Sequence, residues 1–269
     1  MALPQRRRGR PKGFNGPQSP TSIQSLDRAL DVLQALATPE GMTLSELATH
    51  LNQSPATMHR VLATLEKREF VEISQDHQIW HIGPEAYRAG AAFLRRSNVV
   101  ERGRPVMRML MMETGETSNL GIEMRGGHVL FVSQVETHES IRAFFPPGTL
   151  SPLHASGIGK ALMSTFDEAR LNHQLGNSKL ERFTDKTIHS ISQLKDELLK
   201  IRERGYAIDD EERTIGMRCV ASPVLNVHGE AIAGISVSGP THRMQDERIH
   251  KIGELVRTAA ATVSKRLGA

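Results

Sequence analysis

The chain has 269 residues, of which 38% are hydrophobic, 24% charged and 4% aromatic, which is typical of a globular protein with one large or two ordinary domains. No apolar run approaches the ~18 residues of a membrane span, and the basic N-terminus lacks the apolar stretch of a secretory signal, so we expect no membrane association and a cytoplasmic location. A single cysteine excludes an intramolecular disulfide and a zinc site built from cysteines.

The net charge of +4 is concentrated in an N-terminal tail. Residues 1–20 hold five basic residues and no acidic one, which leaves a net charge of −1 for the rest of the chain. Because this tail is rich in Pro, Gly and Arg, we expect it to be disordered. Its Arg-Gly-Arg-Pro sequence matches the core of an AT-hook, in which Arg8 and Arg10 would enter a narrow A·T minor groove. The alternative is a solubilising tail with no specific role.

A helix is predicted first in the segment 21–84. Ser25 can cap its N-terminus, and Thr-Pro-Glu-Gly at 38–41 ends it. Its apolar residues at helical spacing should face the core: Leu26, Ala29, Leu30, Leu33, Leu36 and Ala37.

Two short helices joined by a tight turn are predicted between Thr43 and Lys67. Thr43 and Glu46 have the spacing of a capping box, and Ser54 followed by Pro55 marks the start of the second helix. The buried face of that helix should carry Met58, Val61, Leu62 and Leu65. Its other face carries small, hydrogen-bonding and cationic groups that suit base edges in a major groove. The candidate DNA-binding residues are Ser54, Thr57, His59, Arg60 and Thr64. A helical hairpin without any DNA-binding role has the same pattern.

Two strands, 70–73 and 78–82, follow the helices and alternate around a turn. Helix, turn, helix and hairpin is the element order of a winged helix-turn-helix, whose wing lies beside the DNA backbone. Gly83 and Pro84 mark the end of this domain. Residues 85–103 are predicted to form a linker, mainly as a helix over 85–96, whose small residues would also suit a dimer contact.

Residues 104–269 are predicted to form an α+β domain, because a meander of strands is bounded by helices. We expect strands at 117–124, 128–135, 141–145, 206–209, 219–226 and 231–238. Helices are expected at 99–112, 157–166, 168–175, 192–204 and 245–267.

A small, Gly-rich turn at 153–161 opens one of these helices. Ser156 can cap it, and the free N–H groups of Gly157 and Ile158 would attract an anion. The spacing is not that of a Walker A loop, and a tight strand-to-helix junction explains the glycines equally well. Asp209, Cys219, Ser236 and Ser238 are small polar residues that, together with this turn, could hold a very small oxo-acid. Each also has an ordinary structural explanation, as a turn aspartate, a buried thiol or a strand serine.

Four segments occur in an order that resembles the IclR family of bacterial transcriptional regulators. They are residues 43–80 and the motifs LHASGIGKAL, RGYAIDDEERTIGMRCVASPV and AGISVSGP. The resemblance covers nearly the whole chain from Ser22 onward. It implies a winged helix-turn-helix, a linker helix and a GAF-like effector-binding domain. It also implies dimers that pair into tetramers on palindromic operators, with small 2-oxo acids such as glyoxylate or pyruvate as effectors.

The ligand residues of the family fall here on Gly157, Ile158, Asp209, Cys219, Ser236 and Ser238. Ile158 is a departure, because similar family members tend to carry alanine there, and the larger side chain is expected to narrow the pocket. The chain is therefore interpreted as a regulator that binds double-stranded DNA and a small oxo-acid, with no cofactor and no metal.

Two other functions remain as alternatives. A Cys219-dependent enzyme is one, although the chain has neither a G-x-S-x-G nor an H-E-x-x-H motif. An architectural DNA binder driven by the tail is the other, and the large domain after the linker argues against it.

Overall fold

The structure is a computed structural model that describes residues 23–74, 78–96, 98–176 and 179–269. The predicted AT-hook with Arg8 and Arg10 lies outside the described residues. The chain divides into two compact units, Met1–Phe93 and Leu94–Ala269, and the division falls within the segment predicted as a linker. In the part of the chain that the structure describes, no helix is long and apolar enough to cross a membrane.

The first unit is a winged helix-turn-helix. In chain order its elements are α1 Gln24–Ala35, β1 Met42–Thr43, α2 Leu44–His50, α3 Pro55–Glu66, β2 Val71–Ser74 and β3 Ile79–Ile82, followed by α4 Pro84–Arg96, which spans the division. The strands form an antiparallel sheet in the order β1-β3-β2. The sequence did not predict β1. Gly41 precedes it with φ +66°, and a Cβ there would lie 2.5 Å from the Trp80 carbonyl oxygen, so this turn requires glycine.

The local signals of the two central helices are confirmed. Thr43 and Glu46 form the reciprocal capping box at the start of α2. Asn52 turns the chain between α2 and α3 with a left-handed φ of 50°. Leu47, Met58 and Leu62 are fully buried in the core of this unit.

The prediction for α1 is wrong in two details. Ile23 occupies the N-cap position without a side-chain cap, and Ser25 lies inside the helix. Leu26 and Leu30 are 55% and 49% exposed, and Ala37 is also exposed, whereas the buried residues are Val32, Ala35 and Leu36. The reason is that only the C-terminal half of α1 joins the core of the first unit.

The second unit is a three-layer α+β domain. Its elements are α5 Asn98–Thr114, β4 Thr117–Met124, β5 His128–Val135, β6 Leu150–Pro152, α6 Gly157–Met163, α7 Glu168–Leu175, α8 Ile191–Arg204, β7 Ala207–Asp210, β8 Met217–Leu225, β9 Ala231–Pro240 and α9 Asp246–Arg266. The six strands form one antiparallel sheet in the order β6-β5-β4-β9-β8-β7. Helices α5 and α9 pack on one face, and α6 and α8 pack on the other. This arrangement confirms the predicted α+β class.

One predicted strand, 141–145, is wrong. Phe145 instead stacks on Phe131, with the ring centroids 5.1 Å apart. Pro146 and Pro147 follow and lack N–H groups, so pairing with β5 starts only at Gly148, whose N–H donates to the Phe131 carbonyl at 2.8 Å. The sheet edge is therefore β6, at Leu150–Pro152.

Candidate functional site

The first candidate site is the exposed face of α3. His59, Arg60 and Thr64 are exposed on it, and Thr57 is half-buried. The Ser54 hydroxyl accepts the Thr57 N–H at 3.2 Å and lies 2.8 Å from the Thr57 hydroxyl, so both side chains are engaged at the start of the helix. Thr64 donates its hydroxyl proton to the Arg60 carbonyl at 2.8 Å. The imidazole of His59 and the guanidinium of Arg60 are therefore the groups best placed to reach an external partner.

The second candidate site is a small cavity inside the second unit, of about 30 Å³. A cavity of that volume holds about two water molecules. A ligand of a few non-hydrogen atoms is therefore the most that fits without movement of the wall. Five predicted ligand residues line it: Gly157, Ile158, Asp209, Cys219 and Ser238. Ser236, the sixth, is fully buried beside the cavity and does not line it.

Strand register explains why three of these side chains meet. Asp209 of β7 lies opposite Cys219 of β8, and Cys219 lies opposite Ser238 of β9. Directly opposed residues of antiparallel strands project from the same face of the sheet. A carboxyl, a thiol and a hydroxyl therefore form a row across three adjacent strands, on the face covered by α6.

Two polar residues that the sequence did not single out extend this row. Asn119 donates its side-chain N–H to the Ser238 hydroxyl at 3.2 Å, and Gln134 donates to the Asn119 carbonyl oxygen at 3.0 Å. The Ser236 hydroxyl is buried and makes no hydrogen bond of standard geometry among the described residues, although it lies near enough to the Cys219 thiol to act on its pKa, in the lowering direction. A buried group of this kind is costly unless something external satisfies it.

The start of α6 is held close to the sheet. The Ser156 hydroxyl accepts the Gly159 N–H at 3.0 Å, as the predicted cap requires. A Cβ on Gly157 would lie 2.8 Å from the Cys219 sulfur, and one on Gly159 would lie 2.1 Å from the Leu153 carbonyl oxygen. Both glycines are therefore needed for close packing, and at Gly157 that packing brings the helix backbone onto the cavity wall.

The side chain of Ile158 is accommodated mainly by the sheet. It is 1% exposed, and Cβ atoms built at Gly234 and Gly121 would lie 2.7 Å from its Cγ2 and 3.3 Å from its Cδ1. Two sheet glycines thus make room for a side chain larger than alanine. Ile158 still lines the cavity, so the narrowing expected from the sequence stays a prediction.

A buried ion pair underlies the cavity wall. Lys160 on α6 pairs with Glu212, its side chain is 1% exposed, and its ammonium also donates to the Ile208 carbonyl at 2.6 Å. Burial raises the pKa of Glu212 to about 7, against the opposing effect of Lys160. The sequence did not identify this pair, because the short α6 is buried on all sides and shows no polar face.

Asp209 belongs to the same group of charges. Burial raises its pKa to about 6, while Lys160 and the Glu212 N–H, which donates to Asp209 at 2.9 Å, act in the opposite direction. At pH 7 the ionised carboxylate is thus favoured about tenfold over the acid, a much smaller excess than for an exposed aspartate. Such a group can accept a hydrogen bond from a ligand or exchange a proton with it.

Cys219 is an unsuitable nucleophile. It lines the cavity, which accounts for its remaining exposure, and burial together with the nearby Asp209 charge raises the pKa of its thiol to about 12. The thiol therefore stays protonated at neutral pH, whereas nucleophilic cysteines need the thiolate. Among the described residues there is no group of three or more His, Cys, Asp and Glu side chains that could hold a metal ion.

Two family models match the chain: the IclR helix-turn-helix domain over residues 25–74 and the bacterial transcriptional regulator IclR C-terminal domain over residues 91–265. The HTH-type transcriptional regulator BhcR of Paracoccus denitrificans (strain Pd 1222) is 52% identical over 267 residues, which cover 98% of this chain and 95% of that protein. The transcriptional repressor IclR of Escherichia coli (strain K12) is 34% identical over 264 residues, with coverages of 97% and 96%. The crystal structure of Thermotoga maritima IclR matches with a TM-score of 0.75 and 30% identity, and covers 91% of this chain and 99% of its own.

Proposed function

Because this chain belongs to the IclR family of DNA-binding transcriptional regulators, whose C-terminal domain binds a ligand, we propose that its operator affinity is controlled by a 2-oxo acid of the size of glyoxylate or pyruvate. The effector would bind in the cavity of the second unit. Such a regulator acts on the bacterial chromosome, in the cytoplasm.

The observation that carries the proposal is the row of Asp209, Cys219 and Ser238 on the wall of a cavity of about 30 Å³. The size limits the effector to a few non-hydrogen atoms. Side chains that donate and accept hydrogen bonds, together with backbone N–H groups, suit a molecule that is mostly oxygen.

Each residue has a chemical role in this proposal. The carboxylate of the effector would accept hydrogen bonds from the Ser238 hydroxyl and from the N–H groups of Gly157 and Ile158. Asp209 would accept a hydrogen bond from a hydroxyl or hydrated carbonyl of the effector. The Cys219 thiol would act as a weak donor, and the buried Ser236 hydroxyl would take part after a small movement of the wall.

On the DNA side, the proposal assigns base contacts to α3. His59 and Arg60 would reach base edges, while Ser54, Thr57 and Thr64 would approach the backbone and thymine methyl groups. Arg8 and Arg10 of the tail would add minor-groove contacts. We further propose a palindromic operator that is bound by a dimer of dimers, since symmetric DNA sites mirror symmetric proteins.

The proposal is tested with the purified full-length chain and duplex DNA from the region upstream of its own gene. Fluorescence anisotropy at about 0.15 M salt gives the operator affinity with and without glyoxylate or pyruvate. We expect the effector to change that affinity roughly 5–150-fold, which corresponds to a coupling free energy of about 1–3 kcal/mol.

Asp209→Ala is the matched variant. It should retain the operator affinity measured without effector and lose the response to effector, because Asp209 lies in the second unit. Asp196→Ala, on α8 and outside the cavity, serves as the control and should respond as the wild type does. If the Asp209 variant kept its full effector response, the cavity would not be the effector site.

A further inference from the structure

Arg213 connects the two ends of the sheet across the cavity. It lies in the loop between β7 and β8, and its Nη1 donates to the Ser151 hydroxyl on β6 at 3.3 Å. Strands β6 and β7 are the two opposite edges of the six-stranded sheet, yet residues of both line the same cavity. The sheet is therefore curled, and the Arg213 side chain closes the gap between its edges.

The charge of Arg213 is not neutralised by a direct partner. Among the described residues, two arginines and one acid, Asp209, line the cavity. Arg218 is paired with Asp210 at 2.5 Å and with Asp246 at 2.7 Å. Arg213, in contrast, has no carboxylate within ion-pair distance among the described residues, and its other contact is the Phe183 ring, 5.5 Å from Cζ.

The positive charge of Arg213 opposes the negative charge of Asp209 in the cavity wall. The Arg213 charge reaches Asp209, because it acts to lower the pKa of that carboxyl. An anionic effector beside an ionised Asp209 would be repelled unless a positive group faced it. Lys160 cannot provide that contact, since it is buried behind the wall and paired with Glu212.

We propose that Arg213 is the specificity-determining residue that makes this cavity select an acid, by binding the carboxylate of the effector from the mouth of the cavity. The inference rests on the function proposed above. It adds a residue that lies within a family motif but is not among the ligand residues that the resemblance implies. The property that Arg213 would recognise is the negative charge of the ligand.

Guanidinium chemistry gives the expected order of variants. Arginine can offer a carboxylate two parallel N–H groups, whereas lysine offers a point charge of the same sign. Glutamine can still donate to Ser151, but it carries no charge. Affinity for an acid should therefore fall from Arg213 to Arg213→Lys to Arg213→Gln, while affinity for an uncharged analogue of the same shape should stay nearly constant.

The experiment compares acids with their neutral amides by isothermal titration calorimetry on the full-length protein. The probes are glyoxylate with glyoxylamide and pyruvate with pyruvamide. We expect Arg213→Gln to reduce the affinity for the acid about tenfold or more and to change the affinity for the amide no more than about twofold. The affinity of Arg213→Lys for the acid should lie between that of the wild type and that of Arg213→Gln.

Arg257→Gln is the control, because Arg257 is exposed on α9, pairs with Glu254 and does not line the cavity. Thermal unfolding without ligand shows whether each variant is folded. If the wild type binds an acid but Arg213→Gln weakens acid and amide equally, or weakens neither, this inference is overturned and the proposed function stands. If the wild type binds no acid, both are overturned.

Discussion

Replacing Lys160 with methionine keeps the aliphatic part of a buried side chain and removes its charge. Lys160 and Glu212 are 1% and 6% exposed, and the second oxygen of Glu212, Oε2, already has no hydrogen-bond partner in the described part of the chain. In the variant Glu212 must either remain buried as an unpaired carboxylate or take up a proton. Proton uptake is the cheaper outcome near neutral pH, so the loss of stability should depend on pH.

The magnitude follows from proton linkage. In the wild type, burial raises the pKa of Glu212 from 4.5 to about 7. The folded protein therefore loses stability as the pH rises from about 4.5 to about 7, and above pH 7 the contribution of Glu212 no longer changes. Without Lys160 the folded-state pKa rises further, and stability continues to fall above pH 7. Above pH 7 the variant should therefore lose progressively more stability than the wild type, by at most about 1.4 kcal/mol for each pH unit. The loss ends where the new pKa is passed, and its upper range is the ~3–5 kcal/mol expected for a broken buried pair.

Unfolding followed by circular dichroism and calorimetry at pH 6 and pH 9 measures this difference. Trp80 is the single tryptophan and lies in the core of the first unit, so its fluorescence provides an internal control that should not change. The double variant Lys160→Met with Glu212→Gln has no carboxyl to titrate and should lose most of the pH dependence. An equal loss of stability at pH 6 and pH 9 in the single variant would refute the reasoning.

Three further predictions concern single residues. Gly157→Ala places a Cβ 2.8 Å from the Cys219 sulfur, so α6 must move away from β8 and effector affinity measured by calorimetry should fall about tenfold or more. Ile158→Ala removes a buried side chain and should lower the unfolding free energy of the second unit by about 2–5 kcal/mol, with effector affinity retained through the backbone N–H. Arg60→Ala should weaken operator binding by about 1–3 kcal/mol in anisotropy titrations and affect unrelated DNA much less.

The elements of the first unit could be predicted well because the sequence signals for its helix ends are local. The capping box at Thr43 and Glu46 and the cap at Ser54 each depend on residues within one helical turn, and all of them form. The limit of this reasoning is α1, where Leu26 and Leu30 follow the helical period and yet are exposed. Periodicity identifies an apolar face, but it does not show how much of a helix the rest of the domain covers.

The residues that line the cavity could be predicted only where they belong to the ligand set that the family resemblance implies. Asp209, Cys219 and Ser238 lie on three consecutive strands, and it is the strand register that places their side chains in one row. Lys160 and Glu212 were missed because a buried ion pair has no sequence signature. Arg213 was missed for a different reason. Its importance depends on the curl of the sheet, which brings the β6 edge to the loop after β7.

One short segment, residues 209–213, contacts the three parts of the second unit whose arrangement an effector would have to change. Residues 209–213 contact the cavity through Asp209, α6 through the pair of Glu212 with Lys160, and the β6 edge through Arg213. A ligand can shift a conformational equilibrium only by contacts that differ between the two states. An acid that binds both Asp209 and Arg213 would fix the position of residues 209–213 relative to α6 and β6. A ligand that contacted α6 alone would not constrain this segment. Effector control should therefore be lost in Asp209→Ala and weakened in Lys160→Met, which leaves the cavity lining intact but releases this segment from α6.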